Sequence, residues 1–330
     1  MLVCLVAAAR CLSLASAMFG PVSANPTFGQ VILPADVDIN TVHPRPPTIL
    51  DSKFGYTQFR ANDNRSTLID ARNASWIVDN TGPRRNLYPF LIDRSIPNLE
   101  VIGGTVRGVI PLDADWQEIY VNSAAVMVRD AVGVSVCSWT IRRAWDGIRI
   151  AGASDGFLID NVFLSQIRDD AVENDHGAFG TISNSLFDGA FSGLSMSSTT
   201  LPDEQSKTVT LDNVLIRMQA YPFKGQLTHQ SPFKVEAESP SLRIRDSVIA
   251  IEDVNHIGKS RLTSAWAKAI DASGNHLLFL SDDPLPDDYP LPGQGWTVLH
   301  GDPARNFWNQ AKADWVAANR PAASRSCRPR

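Results

Sequence analysis

The segment Ile167-Arg-Asp-Asp-Ala-Val-Glu-Asn-Asp-His-Gly177 places Asp169, Asp170, Glu173, Asp175 and His176 within eight residues. Four carboxylates this close repel one another, so the segment needs a cation, a raised pKa or neighbouring Arg and Lys. Arg168 lies inside it, and Arg142, Arg143 and Arg149 lie just upstream. In an extended strand, Asp169, Glu173 and Asp175 share one face and Val172 points the other way. A protonated carboxyl beside an ionised one is the equipment of general acid–base chemistry. His176 adds a group that titrates near neutral pH, as a base or as a donor to substrate. Asp169, Asp170, Glu173 and Asp175 also form a candidate Ca²⁺ site, since that ion takes roughly six to eight oxygen ligands. The plainer alternative is a surface turn in which the aspartates cap backbone amides and His176 bonds a carboxylate.

A repeat must position these groups. Ser135-Val-Cys-Ser-Trp139, Leu158-Ile-Asp-Asn-Val162 and Thr181-Ile-Ser-Asn-Ser185 are alternating apolar segments that read as strands. Ser138, Asn161 and Asn184 share one phase, 23 residues apart each time. Eight residues after each stands Asp146, Asp169 or Ser192. Short strands at such a period predict an all-β solenoid, a parallel β-helix, in which residues of equal phase stack into a stripe. The step lengthens to 29 at Asn213 and to 33 at Asp246, so loops are inserted there. Asn161, Asn184 and Asn213 read as a structural ladder of stacked amides and are kept apart from the chemistry. An insertion at Pro111–Tyr120 breaks the period.

Residues 1–24 read as an export signal, with apolar Leu2–Ala9 and a small-x-small Val22-Ser-Ala24. Residues 25–60, with Pro44-Arg-Pro-Pro47, read as an extended N-terminal cap without regular structure. Residues 61–300 form the predicted β-helix domain, and 301–330 a C-terminal helix and tail. In that tail Phe307, Ala311, Trp315 and Ala318 fall at helical spacing and would pack on the body. The net charge is −5 and no basic stripe is present, which excludes a nucleic-acid backbone as the main partner. No stretch after the leader reads as membrane-spanning. Cys4, Cys11, Cys137 and Cys327 lack the spacing of a disulfide framework or a zinc site, and Cys137 reads as a small packed hydrophobe. For any one of the eight tryptophans, core packing is favoured over sugar binding.

Three elements together resemble the polygalacturonase-type glycoside hydrolases. Trp145-Asp-Gly-Ile-Arg-Ile150 is similar to their Asn-Thr-Asp-Gly strand, Asp169-Asp-Ala-Val172 to their Asp-Asp-Cys-Ile element, and Phe191-Ser-Gly-Leu-Ser-Met196 to their Gly-His-Gly-Leu-Ser-Ile element. The match covers about 80 residues. It implies a right-handed parallel β-helix of the pectin-lyase-like group. It also implies inverting hydrolysis of a polyuronate by Asp146, Asp169 and Asp170, one as general acid and the others activating water. Ser192 stands where the family has histidine. Lys224 is the nearest candidate for the family's grip on the substrate carboxylate, and Glu173 and Asp175 replace apolar residues.

The resulting expectation is a secreted or periplasmic carbohydrate-active enzyme cleaving an acidic polysaccharide by glycoside hydrolysis. Its catalytic candidates are Asp146, Asp169, Asp170, Glu173 and His176. Substrate-binding candidates are Arg168, Asp175, Ser192, Lys224, His229 and Lys234. No cofactor is expected for hydrolysis. The alternatives are a lyase or uronate epimerase with Ca²⁺ on the carboxylate cluster, and a non-catalytic carbohydrate-binding surface protein.

Overall fold

Parallel pairing at a fixed offset organises the chain. The computed structural model describes residues 46–62, 66–196, 206–319 and 327, all within the unit Pro44–Arg330. The expected leader, the start of the cap, Cys4 and Cys11 lie outside the described residues.

Ser135–Cys137 pairs in parallel with Glu100–Ile102 on one side and with Phe157–Asp160 on the other. The series continues through Gly180–Met196, Thr208–Met218, Ser241–Arg245 and Ala269–Ser273. Two further series run beside it. One joins Thr105–Gly108, Thr140–Arg142 and the first half of Phe163–Glu173. The other joins Phe90–Asp93, Ala124–Arg129, Asp146–Ala151, the second half of Phe163–Glu173, the end of Gly180–Met196, and Phe233–Val235. The chain is thus all-β with a long parallel sheet, and a helix at Asp302–Asn319 follows it.

Alternation explains the core. Val136, Ile159, Ile182, Leu211 and Ile244 are register partners in successive strands, and each is fully buried. Burying a side chain of this size stabilises by roughly 1.5–3 kcal/mol. Trp76 and Trp139 stack within the same core at 5.8 Å between ring centres. Trp308 and Trp315 of the C-terminal helix are buried against the body.

The expected amide ladder is present in part: Asn213 bonds to Asn184, but Asn184 Nδ2 donates to Asp160 Oδ1 at 2.9 Å instead of to Asn161. Asn161, Asn184 and Asn213 adopt φ of 53°, 46° and 54°, the left-handed region that asparagine tolerates better than most residues. Asn213 Nδ2 donates to Asn184 Oδ1 at 3.0 Å, and Asn161 Nδ2 to Ser138 Oγ at 3.1 Å. The tail helix packs on the body through Ala304, Trp308 and Trp315 against Leu186, Leu215 and Leu278, with the expected Phe307 and Ala311 partly buried there and Ala318 exposed. Trp315 Nε1 donates to Asn184 O at 2.8 Å, which ties the helix to the ladder.

Two expectations give way. The segment after the proline run is not wholly irregular: Thr48–Ile49, Lys53–Gly55 and Phe59–Asn62 pair in parallel with Leu68–Asp70, Ser75–Val78 and Phe90–Asp93. Proline ends regular structure only locally, and Thr48 onward is free to pair. Cys137 and Cys327, 190 residues apart in sequence, form a disulfide, with Cα atoms 5.5 Å apart. Spacing could not show this, because the tail returns to the strand only in three dimensions. Replacing Cys137 with Ser is expected to lower unfolding free energy by roughly 2–5 kcal/mol. Thermal melts with and without reductant check this: reductant should destabilise the wild type and leave the variant unchanged.

Candidate active site

A four-residue phrase recurs where strands of adjacent repeats meet. It reads Asp146-Gly-Ile-Arg149, Asp170-Ala-Val-Glu173, Ser192-Gly-Leu-Ser195 and Ser231-Pro-Phe-Lys234. Register pairs Ile148 with Val172, Val172 with Leu194, and Leu194 with Phe233. The apolar third residue enters the core, while the polar fourth forms the series Arg149, Glu173, Ser195 and Lys234. At two of the second positions glycine lets the neighbouring backbone approach, whereas Pro232 stands at that of the fourth phrase. A Cβ on Gly147 would lie 2.5 Å from Ala171 O, and one on Gly193 would lie 2.4 Å from Pro232 O.

An extra residue shifts the register here. Thr140 pairs with Phe163 and Ile148 with Val172, so Asp170 falls in phase with Asp146. Asp170 N donates to Asp146 Oδ1 at 3.2 Å. Asp169, expected over Asp146, is the added neighbour instead, and its N donates to Trp145 O at 2.9 Å. One oxygen from each of Asp146, Asp169 and Asp170 lies within 4.8 Å of the others. That is closer than the about 6.5–9.5 Å separation typical of an acid and a base in inverting enzymes.

These three line a cavity of about 230 Å³ with Glu173, Asp175, Ser195, Arg149, Lys234 and Arg261. Trp116, Tyr120, Asn122 and Trp145 form another part of its lining. Lys234 Nζ sits 2.6 Å from Asp170 Oδ1 and 3.2 Å from Asp169 Oδ1. Arg149 pairs with Glu173 and also donates to Asn122. Ser195 Oγ donates to Asp175 Oδ1 at 2.8 Å. The cluster therefore contains its own counter-ions, as four crowded carboxylates required.

Burial pushes the Asp146 carboxyl well above the carboxylate range, and the charges of Glu173 and Asp169 push it further. Burial likewise raises Asp169 to about 7; Asp170 adds to the rise and Lys234 opposes it. Asp175 is also pushed up to about 7 by burial, then by Glu173 and Asp170. Lys234 moves the other way from its burial, because attraction to Asp169 and Asp170 outweighs the desolvation of its ammonium. The site holds titrating carboxyls and a charged lysine side by side, an arrangement suited to moving protons near neutral pH.

The other candidates lie elsewhere. His176 is exposed and lines an adjoining depression, next to Glu173 and Asp175. Arg168 is fully buried, with its guanidinium 4.8 Å from the Tyr221 ring and donating to Ala114 O and Pro222 O. Ser192 is buried and donates to Ser231 O at 3.2 Å. Lys224 sits on the hairpin formed by Tyr221–Phe223 and Gln226–Thr228, near the Phe223 ring. His229 is buried and stacked on His256 at 4.4 Å, and burial holds its pKa down to about 4. None of Arg168, Ser192, Lys224 or His229 lines the cavity.

Sequence reasoning passed over Arg149 as a site residue, along with Arg261, Trp116, Tyr120 and Trp145. The four-residue phrase was a usable signal for Arg149. Trp116 and Tyr120 had none, since they come from the insertion that interrupts the period.

For a cation, the converging set is Asp146, Asp169 and Asp170 rather than the expected Asp169, Asp170, Glu173 and Asp175. Glu173 and Asp175 are engaged by Arg149 and Ser195. The Lys234 ammonium already sits against two of the three converging carboxylates, so a divalent ion would have to displace it. No helix among the described residues is long and apolar enough to cross a membrane. No protein-family model, curated protein or solved structure matches this chain.

Asp175 yields a stability test. Its folded pKa of about 7 lies above the unfolded value near 3.8, so the stability it contributes is full at low pH and is lost as pH rises through 7. Asp175→Asn is therefore expected to raise the melting temperature at pH 8 by roughly 4 °C or more, and to change it little at pH 4. Differential scanning calorimetry at the two pH values checks the sign.

Proposed function

We propose that the protein is an exported enzyme that hydrolyses the glycosidic bonds of an acidic polysaccharide, built on a right-handed parallel β-helix of the pectin-lyase-like kind. The observation that carries the reading is the convergence of Asp146, Asp169 and Asp170 within 4.8 Å, against a buried lysine. Parallel strands at offsets of 23 and 24 residues, with left-handed asparagines recurring at one phase, support the coil. The Cys137–Cys327 disulfide supports an oxidising compartment, in keeping with the leader-like residues 1–24.

Asp169 is the general acid, because a donor works best when its pKa lies near the operating pH, and burial raises Asp169 to about 7. Asp170 takes the proton that the attacking water loses as its oxygen bonds to the anomeric carbon, and Asp146 helps to hold that water. Two oxygens within 4.8 Å of each other can both accept from one water at about 2.8 Å each. Asp170 is ion-paired to Lys234, and Asp146 shares a hydrogen bond with Glu173. As Asp169 gives its proton to the leaving oxygen, Lys234 meets the carboxylate that forms, so the new charge is not left unpaired.

Elimination is the second reading, favoured by the same three carboxylates, whose converging oxygens could also take a divalent cation. The products separate the two. Hydrolysis creates reducing ends without new ultraviolet absorbance, whereas elimination leaves a conjugated double bond that absorbs. On a panel of acidic polysaccharides the expected result is reducing ends alone, unaffected by chelator. Absorbing products would replace hydrolysis with elimination, and no turnover on any polymer would favour a binding protein.

Asp169→Asn is expected to lower kcat by about 10³-fold with the melting transition retained. In the wild type, activity should fall as pH rises past about 7, where Asp169 loses its proton. Steady-state rates across the pH range check both; full activity in the variant would remove Asp169 from the chemistry.

A further inference from the structure

We propose that Tyr120, backed by Trp116, is a stacking subsite for the apolar face of a sugar ring at the mouth of the carboxylate cavity. The proposal rests on the carbohydrate reading above and names a part of the site that reading does not use. Tyr120 is 51% exposed yet lines the cavity with Trp116. The two rings stack with centres 4.6 Å apart and planes 26° apart. Trp116 packs on Trp145 at 5.2 Å, and Tyr120 meets the Trp145 ring edge-on at 5.6 Å. Trp145 is buried and directly precedes Asp146, so the aromatic stack is held at a fixed distance from the converging carboxylates.

The stack stands on a braced support. Asp115 accepts from Gln117 N at 3.0 Å and from Gly225 N at 2.9 Å, linking the insertion to the hairpin at Tyr221–Thr228. The buried Arg168 donates to Ala114 O at 3.1 Å and to Pro222 O at 3.2 Å, one carbonyl from each insertion. Trp116 also meets Phe223 edge-on at 5.7 Å. Two insertions in different repeats are thereby fastened together below an aromatic face that remains open. A rigid aromatic loses little entropy on binding, which is how such rings serve as anchors.

Ligand chemistry follows from the surroundings. A pyranose ring offers a face of C–H groups to an aromatic ring and a rim of hydroxyls to polar neighbours. The cavity beside Tyr120 supplies such neighbours in Asn122 and the carboxyl cluster. A cationic ligand would also favour an aromatic face. It is disfavoured here because Arg149, Lys234 and Arg261 already line the same cavity.

The test uses the full chain carrying Asp169→Asn, with galacturonate oligosaccharides and uncharged cello-oligosaccharides as probes in calorimetric titrations. At least one probe is expected to bind. Adding Tyr120→Ala should weaken that binding about tenfold, and Tyr120→Phe should keep it within about twofold, since stacking needs the ring and not the hydroxyl. Weakening by Ala for galacturonate oligosaccharides, with the wild type cleaving no acidic polysaccharide, would uphold the subsite and sink the hydrolysis reading. Unchanged binding in Tyr120→Ala would overturn the subsite and leave hydrolysis standing. Equal loss in the Ala and Phe variants, or no binding of either probe to any variant, would also overturn it.

Discussion

Parallel pairing puts each residue beside its phase partner, about 4.8 Å away in the neighbouring strand. Everything at the site follows from that constraint. Residues as distant in sequence as Asp146 and Lys234 come to line one cavity, since each repeat between them contributes to one wall. Close approach is needed where the phrases adjoin, since a larger side chain at Gly147 or Gly193 would strike the carbonyl of the adjacent strand. Asp146 and Asp170 before this point, and Arg149, Glu173, Ser195 and Lys234 at the fourth positions, then line the cavity together.

Such crowding has an electrostatic consequence. Stacked acidic side chains would normally destabilise a wall of this kind, and two features offset the repulsion. Lys234 and Arg149 stand among the carboxyls as ion-pair partners. Burial also moves Asp146, Asp169 and Asp175 toward their protonated forms. Protonation relieves the repulsion and at the same time supplies a transferable proton near neutral pH. Structural tolerance and chemical capacity therefore share one cause. The buried His229–His256 pair is the contrasting case: desolvation keeps both rings neutral, and each serves packing and hydrogen bonding instead.

Much of this was legible in the sequence, and the reasons differ by element. The asparagine positions were readable because one backbone requirement, a left-handed residue, recurs at a constant phase. The tail helix was readable from the spacing of Phe307, Ala311 and Trp315. The carboxyl cluster was readable because its residues are local. The pairing of Asp146 with Asp170 was not, since the single added residue changes the offset from 23 to 24 only within that strand. The Cys137–Cys327 bond and the Trp116–Tyr120 stack were out of reach for a related reason. Each depends on where a non-repeating segment returns, which periodicity does not encode. Arg168 shows a limit of reading charge by proximity: it adjoins Asp169 in sequence but turns away to brace two insertions.

The most direct measurement is an NMR titration of the aspartate carboxyl carbons, in the wild type and in Lys234→Met, which needs no substrate. Asp169 should titrate near pH 7 in the wild type. Its midpoint should rise in the variant, because the ammonium that favours the ionised form is gone. An Asp169 midpoint near 4 in both proteins would contradict a buried, mutually coupled wall of carboxyls held by a lysine.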